Sequence, residues 1–394
     1  MIVKAFKYRI YPTKAQEKAL VDTLYLTREL YNAALEERKE AYKKCKKSVS
    51  AYEQINSLPE IKEARPEFKN VFSQTLQDTL KRLDKAFQGF FSRVKKGGAA
   101  GFPRFKSADR WDSFTYPQLW DNKRNTWAGV GKPIKHNRIQ LSKIGEVKIK
   151  FHRPLEGKPK TLTIKREANH WYTVYTCEIE NKPLESTGSV IGIDLGTNPN
   201  FLITSDAEFE AAPRYYVKAQ RNLRTAQRSL SKKKRGSRGR KQAKTRVAKL
   251  HRKTANQRKD FHHKTARKLI NKHDVIYHEN LNIIGLARSR TAKGVLDSGW
   301  AMFLSILSNK AVEAGRRVQG VDPRFTSQDC SSCGHRQKVA IGKGYVCAKC
   351  NLEINRDVNA ALNILRLGQD LPLNEGNAVV RPQRLQKPLP LGMG

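Results

Sequence analysis

Hydrophobic and polar positions change period several times along the chain. Residues 1 to 12 alternate, with Val3 and Ala5 set against Phe6, Tyr8 and Ile10. That pattern predicts a strand ended by Pro12. From about 14 to 96 the spacing becomes helical. Phe72, Leu76, Leu80, Leu83, Phe87, Phe90, Phe91 and Val94 form one apolar stripe, as on the core side of a packed helix. Its opposite face carries Gln74, Gln77, Lys81 and Arg82. KKGGAAGFPRFK at 95 to 106 breaks the helix with Gly and Pro. Period two then returns. Ile139/Leu141, Val147/Ile149/Phe151, Leu162/Ile164 and Trp171 to Ile179 read as strands with turns between. With the first strand they predict a small β-barrel, into which the helical block is inserted.

ENKPLESTGS at 180 to 189 has the composition of a linker, and SVIGIDLG then begins a buried strand. FLITSD at 201 to 206 reads as its hairpin partner. Residues 214 to 272 predict two helices, with apolar spacing at Leu223, Ala226 and Leu230, then Val247 and Leu250, then Phe261, Leu269 and Ile270. KKKRGSRGRK at 232 to 241 separates them. DVIYHENLNI at 274 to 283 predicts another buried strand, Trp300 to Ala314 a helix, and RRVQGVD at 316 to 322 a strand. A last helix opens at Asp357, with Val358, Ala361, Leu362 and Leu365 on its apolar face and Asn355 or Arg356 steadying its first turn. From 369 the chain is Pro-rich and aperiodic, which predicts a disordered tail.

Charge narrows the partner. The chain has 394 residues, with 77 Lys+Arg against 36 Asp+Glu and a formal net charge of +41. Self-repulsion on that scale calls for a polyanion, and a phosphate backbone supplies one through counterion release. Residues 214 to 272 hold 23 Lys/Arg against the single acid Asp260. Lys232, Lys233, Lys234, Arg235, Arg238, Arg240 and Lys241 between the two helices are candidate nucleic-acid contacts, as are Gln77 and Lys81. A membrane is disfavoured: there is no 18-residue apolar run, and the basic stretches lack a matching Trp/Phe/Leu face. The N-terminus MIVKAFKYRIYPTK has no signal-peptide core. The expectation is a soluble, cytoplasmic protein.

Four of the six cysteines, Cys330, Cys333, Cys347 and Cys350, follow a C-x2-C-x13-C-x2-C spacing. Two such turns complete a tetrahedron around Zn²⁺, and four thiolates leave no open position for catalysis. The segment between the pairs has few large apolar residues (Val339, Ile341, Tyr345 and Val346), so metal supplies its folding energy. Three acids occupy unusual places. Asp194 interrupts the apolar run VIGIDLG, whose Ile191, Ile193 and Leu195 share the other face. A lone buried Asp costs several kcal/mol unless paired or metal-bound. Glu279 ends the second apolar strand, and Asp357 opens the last helix, where the helix dipole favours an acid. Together the three can hold a pair of Mg²⁺ ions, or Mn²⁺, for attack on a phosphodiester. IGIDLGTN also resembles the phosphate loop of actin-like ATPases. No second glycine-rich loop of that kind follows, and the cysteines are foreign to that pattern.

In their order, KAFKYRIYPTKAQ, GFPRFK at 101 to 106, GIDLG at 192 to 196, HENLNI at 278 to 283, SQDCSSCG at 327 to 334 and NRDVNAALNI at 355 to 364 resemble the transposon-associated TnpB proteins. These are RNA-guided nucleases related to type V CRISPR effectors. The resemblance implies a multidomain α+β fold. Its parts are a wedge domain (1–12 and 116–186), an inserted helical recognition lobe (13–115) and a RuvC-type, ribonuclease-H-like nuclease (187–322 and 355–368) with an inserted zinc module (323–354), then the tail (369–394). It implies Asp194, Glu279 and Asp357 as a catalytic triad in which Asp194 bridges both ions. It implies a guide RNA, double-stranded target DNA beside a short adjacent motif, a displaced single strand, and cutting of both strands by one site. A monomer is expected within the ribonucleoprotein.

Overall fold

The alternating N-terminal residues form β1 (Ile2–Tyr11), with Phe6, Tyr8 and Ile10 buried in the core. In this computed structural model the described residues are 1–98, 100–339 and 344–371; the expected tail beyond 371, and Ile341, lie outside them. The chain divides into two compact units, one spanning Met1–Glu180 and the other beginning at Asn181.

In the first unit Thr13 opens α1 (Lys14–Cys45) through a reciprocal cap with Gln16, satisfying amides that the first turn leaves without partners. Then come α2 (Ala51–Asn56), α3 (Leu58–Ala64) and α4 (Ser73–Lys95). The remaining strands are β2 (Ser113–Tyr116), β3 (Trp120–Asp121), β4 (Thr126–Trp127), β5 (Pro133–Ile134), β6 (Arg138–Leu141), β7 (Gly145–Lys150), β8 (Lys158–Glu167) and β9 (His170–Ile179). Seven strands make one sheet in the order β2-β8-β9-β1-β7-β6-β5. β1 lies in its interior, antiparallel to β9 and β7.

Among the described residues no ladder joins β2 to β5, so the sheet is a half-barrel where the pattern predicted a complete barrel. The stripe on α4 is also only partly core. Leu76, Leu80 and Leu83 are buried, but Phe91 and Val94 are 60% and 51% exposed. Phe90 instead packs at 5.2 Å against both Phe91 and Phe102. Arg82, read as part of the polar face, donates to the Ser113 carbonyl and stacks on Trp111. Gln77 is half-buried and Lys81 exposed on the same helix.

The second unit contains β10 (Val190–Leu195), β11 (Asn200–Thr204), β12 (Phe209–Ala211), α5 (Tyr215–Ser231), α6 (Arg238–Lys272), β13 (Val275–Glu279), α7 (Ile283–Leu286), α8 (Ala292–Ser298), α9 (Trp300–Ala314), β14 (Arg317–Val321), β15 (Gly344–Val346), β16 (Glu353–Asn355) and α10 (Arg356–Gln369). Its main sheet runs β12-β11-β10-β13-β14. The first three strands are antiparallel neighbours, and β10, β13 and β14 are parallel. Ile191, Ile193, Phe201 and Ile276 bury one face against α6 and α9, through Leu269, Ile270, Phe303 and Leu307. The other face takes α10, with Ile364 buried beside Tyr277 and Val321.

The linker before β10 is tied down. Ser186, Thr187 and Gly188 donate to the Asp274 carboxylate, which also pairs with Arg316. These donors hold Asp274 well below the usual carboxylate range. The 35-residue α6 is about 50 Å long. From its first turn the Arg240 guanidinium reaches back to donate to the Leu230 and Lys233 carbonyls at 3.1 and 2.8 Å. Lys232, Lys233, Lys234, Arg235, Arg238 and Lys241 are exposed around that turn.

Gly192 on β10 sets how closely α10 approaches. A Cβ there would lie 2.2 Å from the Ala361 carbonyl oxygen and 2.7 Å from the Leu365 amide nitrogen. Both obstacles are backbone, so neither can swing aside. Gly192→Ala is expected to destabilise the unit by about 1–3 kcal/mol, read as a lowered thermal midpoint; an unchanged midpoint contradicts this packing.

Candidate functional site

Two of the three acids come together through strand register. β10 and β13 are parallel, with Ile193 opposite His278, so the next residues, Asp194 and Glu279, stand side by side. Residues in register on parallel strands face the same way. Their face is the one shared by Gly192 and Tyr277, which are also opposite one another and both approach α10: Gly192 meets Ala361, and Tyr277 meets Gly368.

The helix brings the third. From Gly192 to Asp194 the strand advances about 6.6 Å. From Ala361 back to Asp357 the helix advances about 6 Å. Asp357 lies near enough for its charge to act on Asp194. Asn355 starts α10, its side-chain oxygen accepting from the Asp357 and Val358 amides at 2.9 and 3.3 Å. The free amides at this end favour an anion.

Electrostatics follow from that crowding. Burial, and then the neighbouring charges of Glu279 and Asp357, push Asp194 up to about 7. A backbone amide and Arg356 oppose the rise. Glu279 is raised by burial, against a hydrogen bond from Thr326. No salt bridge reaches any of the three acids among the described residues. Three clustered carboxylates at the rim of an apolar sheet, without a paired cation, form a hard oxygen donor set. Donors of this kind are the ones Mg²⁺ and Mn²⁺ prefer.

The four cysteines converge separately. Cys330 Sγ lies 3.6 Å from Cys350 Sγ, and Cys333 Sγ lies 3.6 Å from Cys347 Sγ. All four sulfurs are within 4.8 Å of one another. A tetrahedron with 2.3 Å Zn–S bonds has an edge of about 3.8 Å, so the cluster fits zinc. Backbone N–H groups of Cys350 and Lys349 pull the Cys347 thiol down to about 6, against the effect of burial. Around the sulfurs the core is small: Tyr345 is buried, with Val339, Leu352 and Ile354 partly so.

The sequence reading missed the residues that join this module to α10. Asn359 and Asn363 are buried at 0% and 1% exposure. Asn359 donates to the Asp329 carbonyl and accepts from the Ser331 amide. Asn363 donates to the Thr326 and Asp329 carbonyls. Leu362 and Leu365, expected on the buried face, are only half-buried, and Ile364 is buried in their stead. A signal was present: Asn355, Asn359 and Asn363 recur every four residues, one polar stripe along the helix. The basic candidates in the α5–α6 turn, and Gln77 and Lys81 in the other unit, are not among the residues gathered here.

Comparison with known proteins places these features in a lineage. Residues 300–364 match the family model described as "Cas12f1-like, TNB domain". Residues 174–290 match "Probable transposase" and residues 1–47 "Helix-turn-helix domain"; the last segment folds here as one strand and one unbroken helix. A protein of Streptomyces pristinaespiralis named "Putative RNA-guided DNA endonuclease" is 32% identical over 97% of this chain and 93% of its own. One of Escherichia coli K12, "Putative RNA-guided DNA endonuclease InsQ", is 29% identical over 93% and 92%. Among solved structures, the "mini-RNA-guided endonuclease CRISPR-Cas_phi3" aligns over 93% of this chain and 92% of its own, at 11% identity and a TM-score of 0.47.

The cysteine cluster carries a direct test. Purified protein is expected to hold one zinc per chain by elemental analysis, and Cys347→Ser to lose it together with the module's thermal stability. Unchanged zinc content in Cys347→Ser contradicts a four-thiolate site.

Proposed function

The chain belongs to the TnpB family, relatives of the type V effectors, and on that premise we propose that it is an RNA-guided, divalent-metal-dependent DNA endonuclease. The convergence of Asp194, Glu279 and Asp357 from two adjacent strands and one helix carries this reading. In it, the five-stranded sheet with α10 is a RuvC-type, ribonuclease-H-like nuclease core. The first unit combines a wedge domain with a helical recognition lobe, and the cysteine module is a zinc-binding insertion that handles target nucleic acid.

Asp194, on which the charges of Glu279 and Asp357 both act, would hold the divalent ions together with those two acids. Ions bound there supply an activated water and neutralise the leaving 3′-oxygen during in-line displacement. The chain's own part is to hold three carboxylates at fixed positions against their mutual repulsion. Burial on the sheet does this for Asp194 and Glu279, and the Asn355 cap does it for Asp357.

The net charge of +41 suits a guide RNA and target DNA held together. Exposed Lys232, Lys233, Lys234, Arg235, Arg238 and Lys241 lie on the backbone-tracking surface in this reading. Arg240 shapes the turn that presents them. Pairing with the guide selects the target, while the protein reads shape and a short adjacent motif. An R-loop then exposes each strand in turn to the single site.

The test uses protein copurified with its own RNA. Supercoiled DNA carrying a guide-matched target and a randomised flank should be cut on both strands in Mg²⁺. Asp194→Asn should lower the rate by at least about 10³-fold while guided binding persists. Tight guided binding without cutting by the wild type would instead make the protein a guided DNA-binding repressor. Cutting that ignores the guide, or joining of DNA ends, would refute RNA-guided cleavage.

A further inference from the structure

Among the described residues Glu279 has one close side-chain partner, and it comes from the cysteine module. The Thr326 hydroxyl donates to Glu279 Oε1. Thr326 is 3% exposed, and its other acceptor in reach, the Pro323 carbonyl, lies farther off at 3.3 Å. The hydroxyl has a single proton, and an ionised carboxylate takes it in preference to a neutral carbonyl. One oxygen of Glu279 is thereby fixed and the other left open.

What fixes Thr326 is the segment leading to the metal. Three residues separate it from Cys330. Its carbonyl and that of Asp329 accept from Asn363, and Asn359 holds Asp329 and Ser331. Asp329 also pairs with Arg336 on the far side of the first cysteine turn. The stretch from Thr326 to Ser331 is thus stapled to α10 by two buried amides and anchored by the cysteine cluster.

Resting on the reading of the three acids as a divalent-ion site, we infer that Thr326 is a positioning residue that sets the Glu279 carboxylate for metal, and that zinc in the cysteine module maintains this contact. Divalent-ion affinity at the acids then depends on a metal bound elsewhere. Partners of this kind orient ligating carboxylates, and their loss weakens metal binding by about 10–100-fold.

The experiment uses the ribonucleoprotein as purified, with Mn²⁺ binding followed by electron paramagnetic resonance. Thr326→Val should weaken Mn²⁺ binding by about 10–100-fold. Its cutting should slow at limiting Mg²⁺ and recover at high Mg²⁺, while guided DNA binding and zinc content hold. Thr326→Ser, which keeps the hydroxyl, should restore the affinity. Cys347→Ser should show the same loss of Mn²⁺ affinity as Thr326→Val. A Thr326→Val protein with wild-type Mn²⁺ affinity, or one whose slow cutting no Mg²⁺ concentration relieves, overturns the inference, as does Cys347→Ser with full affinity. Wild-type protein lacking Asp194-dependent Mn²⁺ binding overturns the carboxylate reading itself, and this inference with it.

Discussion

Backbone-to-backbone contact between α10 and the central strands is the constraint on which the rest of the second unit depends. Gly192 leaves the Ala361 carbonyl no room for even a methyl group, and Gly368 lets the helix backbone lie directly on the Tyr277 ring. Two points of close approach fix both the height and the direction of the helix over the sheet. With the helix fixed, its first turn has one place to go, above the ends of β10 and β13. Those glycines allow the close approach of the helix whose first turn carries Asp357, near enough for its charge to act on Asp194.

That arrangement is costly in isolation. Three acids crowd at the edge of an apolar layer, and burial with mutual repulsion raises Asp194 into the neutral range. The surrounding structure offsets the cost with rigid supports. The Asn355 cap, the Thr326 hydroxyl and the buried amides of Asn359 and Asn363 each hold a backbone or carboxylate group. The cysteine module has a core of only a few side chains, so a metal bound by its four thiolates would supply much of its order, and those amides tie it to α10.

Much of this was legible in the chain. Asp194 stands out because its neighbours Ile191, Ile193 and Leu195 are all apolar, and the cysteine spacing states its own geometry. The order of strands and helices followed from changes of period. Other features were hidden for physical reasons. A hydropathy pattern counts Asn359 and Asn363 as solvent-facing, since it has no view of the carbonyls that satisfy them. It counts Phe91 and Val94 as core, since it has no view of where the underlying sheet ends. Strand periodicity likewise does not reveal whether β2 meets β5. Arg82 and Arg240 read as free cations, yet their guanidiniums bond backbone carbonyls. The contact from Thr326 to Glu279 spans 47 residues and depends on the placement of α10, so no local pattern carries it.

In the proposed reading a structural thiolate site and a separate carboxylate site lie on either side of the start of α10. Anomalous diffraction from crystals grown with Mn²⁺, recorded at the manganese and zinc edges, distinguishes the two. A zinc peak is expected among Cys330, Cys333, Cys347 and Cys350, and manganese density bounded by Asp194, Glu279 and Asp357. Manganese bound away from those carboxylates, or an empty carboxylate cluster at saturating Mn²⁺, would contradict it.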